Sequence, residues 1–197
     1  MRLMESAFAL DVTVGELQGM TDVPSPEVVP EVAIVARARS GDRRAFGQLH
    51  DRYAPMVHGI LLARVPRSEA ADLVQDVFLS ALKRLDSLRD NASFGPWLAT
   101  IARNRATDFH RRKHEMDELP EHLPSPVDPP RDEAQRVLEV IQSLPDAYRE
   151  TLILRLVEDM TGPEIAARTG LTAGSVRVNL HRGMRLLREK LGIEVAQ

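Results

Sequence analysis

Apolar residues recur every three or four positions along most of the chain, and Gly, Pro or polar residues interrupt the repeat at a few places. This spacing puts the apolar side chains on one face of a helix, so it predicts amphipathic α-helices rather than strands. Four helices are expected within residues 31–114. Gly41 ends the first, Asp42 caps the second, Ser68 caps the third, and the fourth ends near His114.

A second periodic stretch covers residues 133–192. It predicts four more helices, at about residues 133–143, 145–157, 163–169 and 173–191. Residues 1–30 and 115–132 lack the repeat and are rich in Pro and acidic residues, so we expect a disordered arm and an extended linker. The predicted fold class is all-α, with two small helical domains, residues 31–114 and 133–192, joined by a Pro-rich acidic linker.

The amino-acid composition excludes several kinds of functional site. The 197 residues include no Cys, which excludes disulfides, cysteine nucleophiles and thiolate metal sites. No apolar run approaches the roughly 18 residues that a membrane-spanning helix needs. These features predict a cytoplasmic protein without membrane insertion.

Charge is unevenly distributed along the chain. It holds 26 Lys and Arg against 29 Asp and Glu, for a net charge of −3, but residues 1–31 and 115–133 carry 13 of the acids and two of the bases. The rest of the chain therefore has 24 basic side chains against 16 acidic ones. A basic surface of this kind suits a nucleic-acid partner despite the negative total.

The most specific local pattern is a helix-turn-helix between residues 161 and 187. Ala166, Gly170 and Val176 supply the small residue, the turn residue and the inner apolar residue at spacings of four and six. The outer face of the second helix then carries polar and basic residues suited to reading bases in the major groove: Ser175, Arg177, Asn179, Arg182 and Arg185. The alternative interpretation is a helical hairpin with a solvated basic face.

Two weaker patterns lie in the first block. The helix after Trp97 carries five basic residues, which could bind the phosphates of a separated DNA strand. The alternative is that these charges are simply solvated and that Trp97 is anchored in the core. One helical face carries two carboxylates and an amide, from Asp72, Gln75 and Asp76. This face could bind a basic protein partner, or it could be ordinary solvent-exposed surface. Asp108, His110 and His114 suggest a hydrolase metal site, but neighbouring cations disfavour it.

The order of these motifs resembles regions 2 and 4 of bacterial extracytoplasmic-function (ECF) sigma factors. Residues 72–78, 94–98, 101–104, 108 and 111–112 resemble region 2. Residues 144–145, 148–150 and 164–188 resemble region 4. The resemblance covers about residues 33–192 and includes the Pro-bearing linker. A freestanding helix-turn-helix regulator remains the alternative, although it leaves the first block without a role.

The resemblance implies a dissociable initiation subunit that binds core RNA polymerase and promoter DNA, without catalytic residues, cofactor or metal. It implies that Asp72, Gln75 and Asp76 face the clamp helices of the largest polymerase subunit. It assigns the −10 element, including its opened strand, to Arg89, Asp90, Asn91, Trp97, Arg103, Asn104, Arg111 and Arg112. It assigns the −35 element to Ser175, Arg177, Asn179, Arg182 and Arg185.

The resemblance also implies an anti-sigma factor as a partner. We expect the linker to leave the two blocks free to move in the unbound protein and to let them close around an inhibitor wedged between them.

Overall fold

The computed structural model describes residues 30–117 and 133–192. Within these ranges the chain forms eight α-helices and no strand, which confirms the all-α prediction. The helices are α1 (Glu31–Arg39), α2 (Arg43–Leu62), α3 (Arg67–Arg84), α4 (Phe94–Asp117), α5 (Glu133–Gln142), α6 (Asp146–Leu156), α7 (Gly162–Thr169) and α8 (Ala173–Leu191). The predictions for the arm at residues 1–29 and for residues 118–132 of the linker lie outside the described residues. Helix α4 continues three residues beyond its predicted end, into the stretch expected to be linker.

The first bundle consists of α1–α4, with α2 at its centre against the other three helices. Asp42 caps α2 as predicted, since its carboxylate accepts hydrogen bonds from the backbone N–H groups of Arg44 and Ala45. Gly41 precedes it with a φ of 93°, a conformation that favours glycine. The core is aliphatic with a few aromatic rings, and its largest fully buried side chains include Leu49, Tyr53, Met56, Ile60, Leu61, Phe94 and Leu98.

The predicted cap at Ser68 is wrong. Helix α3 begins at Arg67, directly after Pro66, and no side chain caps it. The carbonyl of Pro66 accepts the first helical hydrogen bond, from the N–H of Glu69. Proline suits this position because its fixed φ leads into the helix without needing an N–H partner. Ser68 instead lies in the first turn, where its hydroxyl donates to Glu69.

The second bundle consists of α5–α8 and contains the predicted helix-turn-helix. Gly170 ends α7 in the left-handed conformation, with a φ of 79°, and Val176 is buried on the inner face of α8. A reciprocal capping box between Thr161 and Glu164 begins α7, and Thr172 caps α8 through the N–H of Ser175. The recognition helix therefore starts from a fixed geometry, although Gly174 follows in its first turn.

The two bundles pack against each other through α2 with α6 and α4 with α7. Two glycines allow this approach. A Cβ at Gly59 would lie 2.7 Å from Leu154 Cδ2, and one at Gly95 would lie 2.9 Å from the carbonyl oxygen of Arg168. The structure therefore differs from the expectation of two separately moving blocks. The helical repeat indicates which side chains of each helix are buried, but it does not show which helices pack against each other.

We expect Thr172→Ala to lower the free energy of unfolding of the second bundle by about 1 kcal/mol, because the backbone N–H of Ser175 loses its side-chain acceptor. Urea unfolding followed by circular dichroism measures this. Thr172→Ser keeps the hydroxyl and is the matched control. Equal loss of stability in both variants would contradict the capping role.

Candidate nucleic-acid and protein interfaces

The three residues of the predicted acid–amide face lie on one side of α3, as expected. Asp72 and Gln75 are exposed, whereas the apolar residues between them and after them are buried in the first bundle. Asp76 is 44% exposed and is ion-paired with Arg105 of α4. This face therefore offers one freely exposed carboxylate, one amide and one carboxylate already paired within the bundle.

A groove of about 420 Å³ runs between α3 and α4 beside this face. Asp76, Leu79 and Lys83 line it from α3, and Asn104 and Arg112 line it from α4. Leu79 is 56% exposed, which is unusual for a leucine inside a helical bundle. The predicted polymerase residues and part of the predicted DNA residues therefore share one continuous surface.

The polar loop at residues 89–93 is fixed by its own hydrogen bonds. The carboxylate of Asp90 accepts from the N–H of Ala92 at 3.0 Å and from the hydroxyl of Ser93 at 2.9 Å. Arg39 of α1 donates to the side-chain oxygen of Asn91 at 3.0 Å. The loop is therefore a shaped surface, fixed by its own hydrogen bonds and held to α1 by Arg39.

A concave site of about 440 Å³ lies beside this loop. Its lining residues include Arg89, Asp90, Pro96, Trp97 and Thr100. The ring of Trp97 is half-buried and lies 5.8 Å, centroid to centroid, from the ring of Phe94. Trp97 therefore packs on the core and also lines an open cavity.

The basic residues of α4 divide into two groups. Arg111, Arg112 and Lys113 are exposed, with Arg111 paired to Asp108 one turn earlier at 3.0 Å. Arg103 and Arg105 instead point into the protein, and both are paired with carboxylates. The helix is therefore not the uniformly solvated charge run that its sequence allowed.

Arg103 is held by Glu150 of α6, across the contact between the two bundles. Its Nε and Nη2 atoms donate to the two carboxylate oxygens of Glu150 at 3.1 and 2.7 Å. Arg64, at the end of α2, contacts the same carboxylate at 2.7 Å. We call these three residues the Glu150 cluster.

Burial and pairing act in opposite directions on Glu150, whose side chain is 6% exposed. Burial by itself raises the pKa of the carboxyl, but the hydrogen bond from Arg103 and the charges of Arg64 and Arg103 outweigh it and hold the pKa below its ordinary value. The hydrogen bond to Glu150 likewise raises the pKa of Arg103. The two arginines therefore favour the carboxylate form of Glu150 at this buried position.

A second ion pair crosses the same contact. His58 Nδ1 of α2 lies 2.6 Å from a carboxylate oxygen of Glu158, which follows α6. The hydrogen bond to Glu158 raises the pKa of His58 above its ordinary 6.5, although burial and the charge of Arg67 act in the opposite direction.

The sequence analysis predicted neither the Arg103–Glu150 pair nor the His58–Glu158 pair. One signal for the first pair was present in the sequence: Glu150 is a carboxylate directly before the buried run at residues 151–154.

The outer face of α8 is exposed and basic, as predicted. Arg177, Arg182 and Arg185 are exposed, and Asn179 is half-buried. The hydroxyl of Ser175 is exposed but lies 2.8 Å from the hydroxyl of Thr172, its capping residue. Three arginines therefore present their guanidinium groups from the second helix of the helix-turn-helix, the position from which such helices enter a major groove.

The metal-site alternative gains no support in the described part of the chain, where no three His, Asp or Glu side chains come together as ligands. His110 lies 2.7 Å from the backbone carbonyl of Arg64. None of the described helices is both long and apolar enough to cross a membrane.

Comparison with known protein families identifies the family to which each bundle belongs. Residues 49–115 match the Sigma-70 region 2 family and residues 134–187 match the Sigma-70 region 4 family. The fold and these two matches together define an RNA polymerase sigma factor of the sigma-70 class. Region 2 accounts for the first bundle, so a freestanding helix-turn-helix regulator is not favoured.

Relatives that match most of the chain show to which family of sigma factors it belongs. The chain is 36% identical over 173 residues to the RNA polymerase sigma factor CarQ of Myxococcus xanthus, covering 82% of this chain and 99% of CarQ. It is 33% identical over 175 residues to the ECF RNA polymerase sigma factor SigD of Mycobacterium tuberculosis, covering 81% of this chain and 82% of SigD. The chain belongs to the ECF family of RNA polymerase sigma factors, as the sequence motifs predicted.

A solved structure agrees with the fold. CnrH, in complex with the cytosolic domain of CnrY, superposes with a TM-score of 0.59 at 27% identity, covering 84% of this chain and 99% of CnrH.

The ion pair between His58 and Glu158 makes part of the contact between the bundles pH-dependent. A raised pKa means that the stabilisation is fully present below pH 6.5 and is lost as the pH rises through the raised pKa. We expect Glu158→Gln to lower the pKa of His58, measured by NMR titration of its ring protons. Asp159→Asn is the matched control, since that fully exposed carboxylate contacts Arg155 instead. An unchanged His58 titration in Glu158→Gln would show that the pair does not form.

Proposed function

We propose that this ECF sigma factor binds core RNA polymerase through the acid–amide face of α3 and reads promoter DNA with both bundles. The observation that carries the proposal is the pairing, in one chain, of an exposed acid–amide face in a region 2 bundle with an arginine-bearing recognition helix in a region 4 bundle. In this proposal residues 31–114 form the polymerase-binding and −10 domain, and residues 133–192 form the −35 domain. It acts in the cytoplasm as an initiation factor and not as an enzyme.

The surface of the first bundle suits an opened promoter. The concave site beside residues 89–93 has an aromatic wall at Trp97 and polar groups at Arg89 and Asp90, the combination that holds an unstacked base. Asn104 and Arg112 lie in the neighbouring groove, and Arg111 is exposed on the same helix. We assign the opened −10 strand and its flanking phosphates to this surface, together with Asn91 and Arg103.

The exposed face of α8 suits duplex DNA. Arginine guanidinium groups form paired hydrogen bonds with guanine in the major groove, and asparagine does the same with adenine. We assign the −35 element to Arg177, Asn179, Arg182 and Arg185. Ser175 joins them as a phosphate or base contact, because its hydroxyl remains exposed beside the cap.

We also propose an anti-sigma factor as a partner. CnrH, whose fold this chain shares, was solved with the cytosolic domain of CnrY, a bound protein partner. The exposed acid–amide face and the exposed Leu79 beside it provide a surface for such a protein.

Asp72→Arg tests the polymerase face without disturbing the bundle, because Asp72 is exposed, whereas Asp76 is paired with Arg105. A cation facing a basic partner is repelled, so we expect affinity for core polymerase to fall about tenfold or more. Ala147→Arg adds the same charge at an exposed position of α6, in the second bundle, and is the control. Equal affinities of the two variants, measured by fluorescence anisotropy, would remove α3 from the interface.

Arg182→Ala tests promoter reading. With purified core polymerase, we expect the variant to lose about 1–3 kcal/mol of binding at the −35 element and to discriminate less among bases there. Transcription from a library of promoter sequences measures both effects. Arg136→Ala removes an exposed arginine from α5 and is the control. If wild-type protein with core polymerase started no transcript from the library, the proposed function would fail.

A further inference from the structure

We propose that Arg39, the last residue of α1, is a positioning residue for base recognition. It holds the loop at residues 89–93 through Asn91 and so sets the geometry in which Arg89 and Asp90 meet a base. This inference rests on the proposed function, because it takes the concave site beside the loop as the place where an unstacked base of the −10 element binds. The lining residues that the structure describes lie between positions 87 and 100, whereas Arg39 belongs to a different helix.

The guanidinium of Arg39 bridges the two ends of the segment that carries Arg89 and Asp90. Its Nη1 atom donates to Asn91 Oδ1 at 3.0 Å, and its Nη2 atom makes a second, longer contact of 3.5 Å to the backbone carbonyl oxygen of Asp86. Asp86 precedes the exposed pair and Asn91 follows it. Because a guanidinium is planar and presents its donors in a fixed arrangement, the two contacts constrain the segment together.

The same contact fixes the orientation of the Asn91 amide. Arginine has only donors, so the amide oxygen of Asn91 must face Arg39 and the NH2 group must point the other way. The NH2 group can then donate to an acceptor on DNA, such as a base carbonyl or a phosphate oxygen. Without Arg39, nothing in this contact distinguishes the two ends of the amide, and the side chain can turn over.

Arg39 can act as a support because α1 is packed firmly on the first bundle. Val35 and Ala38, in the turn before it, are buried. Helix α1 packs against both α2 and residues 91–93. The position of the Arg39 backbone is therefore set by the core of the bundle, and its side chain passes that position on to the loop.

The loop has contacts of two other kinds. Leu88 and Phe94 are buried on either side of it and anchor its ends. The carboxylate of Asp90 closes the loop on itself through hydrogen bonds within residues 90–93. These hydrogen bonds preserve the shape of the loop. The hydrogen bond from Arg39 comes from a different helix, so it fixes the loop relative to the rest of the bundle.

Base preference in transcription tests this role. Core polymerase with each variant starts transcripts from a promoter library randomised in both elements, and the ratio of the best base to the second-best is obtained at every position. We expect Arg39→Ala to lower this ratio about fivefold at a −10 position, the fold-change that one net hydrogen bond is worth, and to leave the −35 ratios unchanged. Arg43→Ala is the matched control, because it removes an exposed arginine four residues further along the chain. Unchanged −10 ratios in Arg39→Ala, equal losses in Arg43→Ala, or an equal fall in both elements would overturn the inference.

A double-mutant cycle distinguishes positioning from direct contact with DNA. If Arg39 acts through Asn91, Arg39→Ala has little further effect on the −10 ratio once Asn91→Ala is present. If Arg39 instead binds a phosphate itself, the two effects multiply. We expect the first result, and the second would rule out a positioning role.

The hold on the loop can be measured without polymerase. Backbone hydrogen exchange in peptides covering residues 86–94, followed by mass spectrometry, reports how often the loop opens. We expect exchange to be about fivefold faster in Arg39→Ala and in Asn91→Ala than in wild type and Arg43→Ala. Circular dichroism checks that each variant keeps its helicity. The same exchange rate in Arg39→Ala and wild type would show that Arg39 does not hold the loop.

The two measurements separate this inference from the proposed function. If wild type started no transcript while Arg39→Ala still loosened the loop, the proposed function would fail and the hold of Arg39 on the loop would stand. If wild type were active and selective at the −10 element while Arg39→Ala changed neither measurement, the inference alone would fail.

Discussion

The carboxylate of Glu150 is the charge on which the arrangement of the two bundles depends. It is nearly inaccessible to water and is neutralised by two arginines that both belong to the other bundle. A buried carboxylate without such partners would be strongly destabilising. Arg64 and Arg103 therefore make the burial of this charge possible, and each of these arginines has Glu150 as its carboxylate partner.

Helix α4 packs in the core, forms ion pairs with two other helices and carries exposed basic residues. Its inner face supplies Leu98 and Ala102 to the core of the first bundle. Arg105 pairs with α3, and Arg103 pairs with α6, while the exposed end of the helix carries further arginines. One helix therefore carries both the contact between the bundles and part of the surface proposed to bind DNA.

Local chemistry made most of the fold predictable. Asp42 caps α2 and Gly170 ends α7 because capping and left-handed turns depend on one or two neighbouring residues, which a sequence displays directly. The cap at Ser68 was predicted wrongly because Pro66 competes for the same helix start, and proline can begin a helix without a side-chain cap.

The contact between the bundles was not predictable in this way. Arg103 and Glu150 are 47 residues apart, with a Pro-rich stretch between them, and no periodic pattern links their helices. The same limit applies to the site. The sequence placed Arg103, Asn104 and Arg111 on one basic helix, but it could not show that Arg103 points toward α6 while Arg111 stays in solvent.

The position of the Glu150 cluster decides what the loss of one of its charges would do. The buried apolar side chains of the two bundles form one continuous core, and the cluster joins α6 to α4 and to Arg64 beside it. Removing one partner of a buried ion pair leaves the other charge without compensation and costs about 3–5 kcal/mol of folding stability. Glu150 has two arginine partners, so the loss of either arginine leaves the other in contact with the carboxylate. A single substitution in the first bundle therefore does not isolate this buried charge completely.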